Sequence, residues 1–168
     1  MTGLQITVLV GLILFVLYNI GILVINHGKA PVSVSETSYI LQQRLGKNYH
    51  FLFTAICAIV CFTFIPMWME VTPDNLQFLV FLSCAGVLFA GATPFFRESF
   101  EKPIHYTSGI ISAVAYILWF VLVGEANWLF FTLCAIVATS IAVWSTRVWL
   151  YFVEVYGLIA LAIYLLTC

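Results

Sequence analysis

Glu154 is the residue with the most chemistry to offer. It stands in an otherwise apolar run, about two helical turns, or about 10 Å, from the start of that run. A carboxyl held in hydrocarbon is costly, and marks a titrating site, a ligand contact or a hydrogen-bonded strut between helices. Asn19 lies at a comparable depth, counted back from the end of an earlier apolar run, so the two side chains are expected to meet. Asn26 shares the face of Asn19 one heptad later, and His27 follows it. A third run carries His105, Ser108, Gly109, Ser112 and Tyr116 at i, i+3, i+4, i+7 and i+11, which is one stripe along a helix.

Three chemistries fit those residue types. His105 or His27 as general base toward water or Ser108, with Glu154 orienting it or donating a proton, is the equipment of an intramembrane hydrolase or transferase. Glu154 as a titrating charge suits a channel or proton-coupled transporter, although broken helices in corresponding halves are lacking. A one-sided polar cluster beneath an apolar outer half suits a pocket for an amphipathic ligand. Plain packing also uses such residues, because small and hydroxyl side chains let membrane helices approach closely. Catalysis and binding are both compatible with the set.

Several familiar signatures do not occur: there is no Gly-rich phosphate loop, no His-Glu-x-x-His pattern and no Gly-x-Ser-x-Gly elbow. Cys57, Cys61, Cys84, Cys134 and Cys168 sit in apolar runs without C-x-x-C spacing and read as small apolar fillers. No metal and no cofactor is expected.

The elements that must position these groups are membrane spans. Of 168 residues, 64% are apolar and 8% charged, against roughly 45–50% and 25% in a soluble domain. That balance excludes a soluble or disordered chain. Six Lys and Arg against seven Asp and Glu leave no basic excess for nucleic acid. A bilayer core of about 30 Å takes about 20 apolar residues in a helix, and six runs qualify: Leu4–Ile25, Phe51–Met69, Leu76–Phe95, Ile104–Val123, Trp128–Trp144 and Val148–Leu166. The expected fold is all-α, a single six-helix transmembrane domain over residues 1–168.

Orientation follows from the cations, which are retained on the cytoplasmic side of short loops. Lys29, Arg44 and Lys47 fall in the first loop, Arg97 and Lys102 in the third and Arg147 in the fifth, while the other two loops carry Glu70, Asp74 and Glu125. Both termini are therefore expected outside the cell membrane. The first run has no charged lead and no small-residue cleavage site, and is expected to stay as an anchor. Trp68, Trp119 and Trp128 near the outer ends, with Trp144 and Trp149 near the inner ones, read as interfacial belts.

The one long connection, residues 26–50, contains Ser33-Val34-Ser35-Glu36, the S-x-x-E form of a capping box. It predicts a short amphipathic helix within 34–45, stopped by Gly46, with Tyr39, Ile40 and Leu41 turned to lipid or protein and Gln42, Gln43 and Arg44 wet. Thr72-Pro73-Asp74 predicts an N-cap, a first-position proline and a favourable acid for the third span, and Pro103 opens the fourth in the same way.

The segment Pro31-Val32-Ser33-Val34-Ser35-Glu36-Thr37, with His105 four residues before Gly109, resembles the six-helix membrane proteins grouped as Frag1/DRAM/Sfk1 and their bacterial DUF998-like relatives. Those carry a P-x-I-S-[DE] segment after helix one and a histidine with a following glycine opening helix four; here Val34 replaces the isoleucine, and a second Pro-Glu signature is missing. The stretches 35–39, 72–78 and 105–107 are also similar to small bacterial and phage-borne membrane proteins. The resemblance implies involvement with membrane lipids, in remodelling or organisation, and carries no catalytic residue set.

The leading expectation is thus a lipid or amphipathic ligand held in a pocket open to the cytoplasmic leaflet. Asn19, Asn26, His27, His105, Ser108, Ser112 and Glu154 would line it, and Arg97, Lys102 and Arg147 would meet the headgroup. Membrane lipids are the expected partners, with a second copy or another membrane protein as further ones.

Overall fold

Five of the predicted spans begin and end within about three residues of a helix, because a run of about 20 apolar residues satisfies its backbone only by coiling. The computed structural model describes residues 1–95, 97–123, 133, 136 and 148–168. Among the described residues there are six α-helices and no strand: α1 (Gly3–Ile25), α2 (Thr37–Leu45), α3 (Phe51–Glu70), α4 (Gln77–Ala92), α5 (Glu101–Val123) and α6 (Trp149–Thr167). Short 3-10 turns, Lys47–His50 and Asp74–Leu76, lead into α3 and α4. All but α2 are long and apolar enough to cross a membrane, counting those lead-in turns with their helices. The predicted span Trp128–Trp144 lies outside the described residues, as do Cys134 and Arg147.

The largest departure is at the end of α4, which stops at Ala92 and not at Phe95. Thr93 precedes Pro94, whose ring disfavours the helical conformation in the residue before it, and Thr93 sits at φ −114° and ψ 64°. At the opposite extreme, α1 starts on a capping box in which Thr2 and Gln5 exchange side-chain and backbone hydrogen bonds.

Helix α1 shows how the bundle is built. Val8, Gly11, Phe15, Asn19 and Ile22 form one buried stripe, while Ile6, Ile13, Leu17 and Ile20 on its other faces are exposed and apolar. A helix apolar all round belongs in lipid. The stripe packs on α3 and α6; α3 packs on α4, and α4 on α5. Two crossings are closed by glycine: a Cβ on Gly86 of α4 would come within 2.5 Å of the Ser108 carbonyl oxygen on α5, and one on Gly91 within 2.7 Å of Cys57 Cβ on α3.

Trp68 and Trp119 correct the belt reading. They are 2% and 0% exposed and meet edge to face, with ring centroids 5.5 Å apart, in a cluster that also takes in Phe120 and Tyr164. Trp149 is 56% exposed. Thr72 is a related correction. Its hydroxyl donates to the Trp68 carbonyl and accepts from Trp119 Nε1 at 2.8 Å, so it locks α3 to α5 and does not cap α4.

Candidate functional site

Most of the polar groups singled out in the spans gather at one end of the bundle, where α1 and α4 end and α3, α5 and α6 begin. Helix α1 terminates there in a Schellman motif: Gly28 N–H donates to the Leu23 carbonyl and His27 N–H to that of Val24. His27 takes φ 55°, a left-handed conformation uncommon for a non-glycine residue, and its side chain is exposed. Asn26 Nδ2 donates to the Lys29 carbonyl at 2.7 Å. These two candidates therefore shape the chain reversal.

The reversal leads the chain back across the end of the bundle as a strap, residues 31–45. Ser33 Oγ accepts from Glu36 N–H, which is half of the predicted capping box. The Glu36 carboxylate reaches one residue further back than the box requires, accepting from Val32 N–H at 3.1 Å. Helix α2 then begins at Thr37, with Leu41 buried and Gln43 and Arg44 exposed, as the amphipathic pattern requires.

Four contacts stitch the strap to the spans. Glu154 Oε2 on α6 accepts from Val34 N–H at 2.5 Å, and Tyr151 N–H donates to the Val32 carbonyl. The hydroxyls of Tyr18 and Thr37 lie 2.5 Å apart, and Ser38 Oγ donates to the Pro94 carbonyl at 3.0 Å. Thr37 and Ser38 are 0% and 2% exposed. Asn19 and Glu154 each find a different partner from the one expected: Asn19 Oδ1 accepts from Tyr151 Oη–H at 2.9 Å, and its amide donates to the Phe15 carbonyl. Tyr151 and Glu154 are one turn apart on α6, so the matched depths bring the two groups to the same level without joining them.

His105 serves the end of α4. Its Nδ1 lies 3.0 Å from the Ala90 carbonyl and 3.1 Å from that of Thr93. Both are acceptors only, so Nδ1 carries the hydrogen. Ser108 Oγ donates to the His105 carbonyl within its own helix, and Ser112 meets Ser83 across the α4–α5 crossing. Gly109 has open space around it. The stripe is thus a packing seam with a histidine cap at its head.

Of the three cations expected at headgroup depth, Arg97 is already engaged. Its guanidinium pairs with Glu36 at 2.6 Å and lies 4.4 Å from the centroid of the Tyr39 ring, while its backbone N–H donates to Tyr39 Oη. Lys102 is exposed, and Arg147 lies outside the described residues. No three His, Cys, Asp or Glu side chains come together among the described residues.

Beside the strap lies an open groove of about 500 Å³ between the start of α3, the end of α4 and the start of α5. Phe51, Ala55, Ala58, Ala92, Pro94 and Phe95 give it apolar walls; His50, Thr54 and Glu101 are its polar members. Thr54 Oγ donates to the Gly91 carbonyl at 2.6 Å, His50 Nδ1 lies 2.8 Å from the Lys47 carbonyl, and the His50 ring packs on Phe95 at 4.7 Å. Glu101 Oε2 accepts from Phe95 N–H at 2.9 Å. None of these residues belongs to the set expected to line the pocket. The available signal was the pair Ala55 and Ala58, small residues one turn apart on α3. Comparison with known family models, curated proteins and solved structures finds no match to this chain.

Proposed function

We propose that this is a six-span protein of the cell membrane that holds a lipid or other amphipathic molecule at its cytoplasmic end. The groove carries the reading. Its walls are alanine and phenylalanine, its polar members number three, and it opens beside the cation-bearing connections. Small-molecule sites have this composition, mostly apolar with a few placed polar groups. The proposed orientation puts residues 26–50, 93–103 and 145–147 in the cytoplasm and both ends of the chain outside, since the cations fall in those segments.

Two measurements test it. Native mass spectrometry of the detergent-released protein is expected to show retained lipid, lost when Ala58→Phe fills the groove; a lipid-free spectrum overturns the binding reading. In intact cells a membrane-impermeant maleimide is expected to label Cys168, and not a cysteine placed at Lys47. The reverse pattern overturns the orientation.

A further inference from the structure

Which end of an amphiphile the groove accepts is written in its hydrogen-bonding inventory. Its three polar side chains, Glu101, His50 and Thr54, offer acceptors. Glu101 spends Oε2 on the Phe95 N–H, and Oε1 has no partner among the described residues. His50 Nδ1 lies 2.8 Å from the Lys47 carbonyl and gives it its hydrogen, which leaves Nε2 of that tautomer as an acceptor. Thr54 gives its hydroxyl hydrogen to Gly91, leaving oxygen lone pairs. Phe51 and Phe95 add ring faces, which attract cations.

A groove whose side chains offer one carboxylate and further acceptors complements a cation that donates hydrogen bonds. Arg97 is committed to Glu36 and Tyr39. We infer that the groove binds the primary ammonium of an aminophospholipid, with Glu101 as the group that recognises it. This rests on the amphiphile reading above and names its ligand class. Lys47 and Lys102, three residues and one residue along the chain from His50 and Glu101, supply counter-charge for the adjoining phosphate. A quaternary choline headgroup carries the same charge but donates no hydrogen bond, so it should be discriminated against.

The test uses the full chain reconstituted in vesicles of equal parts phosphatidylethanolamine, phosphatidylcholine and phosphatidylglycerol, then released and weighed by native mass spectrometry. Charge-assisted hydrogen bonds justify an expected enrichment of the ethanolamine lipid of about tenfold over each competitor. Glu101→Gln keeps an oxygen for the Phe95 N–H but removes the charge, and should abolish the enrichment while the total lipid retained stays the same. His50→Phe, which keeps the ring packing, should reduce it about threefold. Free ethanolamine in excess should displace nothing. Retained lipid with no ethanolamine preference, or a preference untouched by Glu101→Gln, overturns the ammonium inference and leaves the amphiphile reading standing. Displacement by free ethanolamine overturns the lipid as its source, and absence of any retained lipid overturns both readings.

Discussion

The carboxylate of Glu154 accepts a hydrogen bond at 2.5 Å from the backbone N–H of Val34, a residue 120 positions earlier in the chain. Two carboxylates thus divide the amides of one turn: Glu36 takes Val32 and Glu154 takes Val34. The acid in α6 meets part of its desolvation cost with a donor that the strap would otherwise leave unpaired, and the strap gains an anchor on α6. Tyr151 N–H to the Val32 carbonyl completes the joint from the same helix. The strap in turn touches the segment that follows α4 through Ser38 and Pro94. Pro94 lines the groove. Glu154 is therefore connected to the groove wall by a continuous line of contacts.

Removing the acceptor should loosen the strap. Glu154→Gln keeps an oxygen for Val34 and is expected to cost about 1 kcal/mol; Glu154→Leu leaves the amide unpaired, at about 1–3 kcal/mol. Hydrogen–deuterium exchange over residues 32–41 is the measurement, with faster exchange in the order wild type, Gln, Leu. Equal protection in all three would mean that the strap is held by its other contacts alone.

Asn19 and Tyr151 form a polar link between α1 and α6. Buried hydrogen bonds in membrane bundles average about 0.6 kcal/mol and reach about 1.7. Tyr151→Phe and Asn19→Leu are each expected to destabilise the protein by that order. The double variant should lose less than the sum, because the bond can be lost only once. Additive losses in a denaturant titration in mixed micelles would show that the pair is not coupled.

How far all this was legible in the sequence depends on which group supplies the partner. Spans and the short helix α2 were readable because apolar runs and capping residues carry their own signal. Glu154 and Asn19 were readable as groups needing partners. Their actual partners were not equally so: Val34 contributes a backbone amide, which every residue but proline owns, so nothing in its side chain announced it. His105 similarly meets carbonyls of α4. Trp68 and Trp119 were misplaced for a different reason. In helices apolar on every face the periodicity that separates core from lipid disappears, and position along the span alone suggested a belt. The groove escaped notice because alanine and phenylalanine look the same whether they line a cavity or fill a seam.

Close approach at the α4–α5 crossing gives a sharper expectation. A methyl group at Gly86 would meet Ser108 and Ser112 at 2.5–2.9 Å, much of it backbone, whereas Gly109 on the same α5 stripe has nothing within 4 Å. Gly86→Ala should therefore force the helices apart at a cost of about 1–3 kcal/mol. Gly109→Ala should be neutral or stabilising by about 0.4–1 kcal/mol. Thermal unfolding of the two variants in the same detergent checks the contrast, and equal midpoints would contradict the crossing geometry.

Arg97 separates a structural cation from a headgroup cation. Its guanidinium is bonded to Glu36 and stacked on Tyr39, but its side chain is 56% exposed, so solvent screening limits the ion pair to about 1 kcal/mol or less. Stacking on the ring adds about 0.5–1 kcal/mol. Arg97→Ala should then lower stability modestly and speed exchange in α2, with retained lipid unchanged. Arg97→Lys should restore little, because an ammonium lacks the planar fork that pairs and stacks at once. Lys102→Ala should do the opposite, leaving α2 protected and weakening lipid retention through the lost counter-charge. If Arg97→Ala instead strips lipid while α2 exchanges as before, the guanidinium meets a headgroup and the acceptor-lined groove is not what selects the ligand.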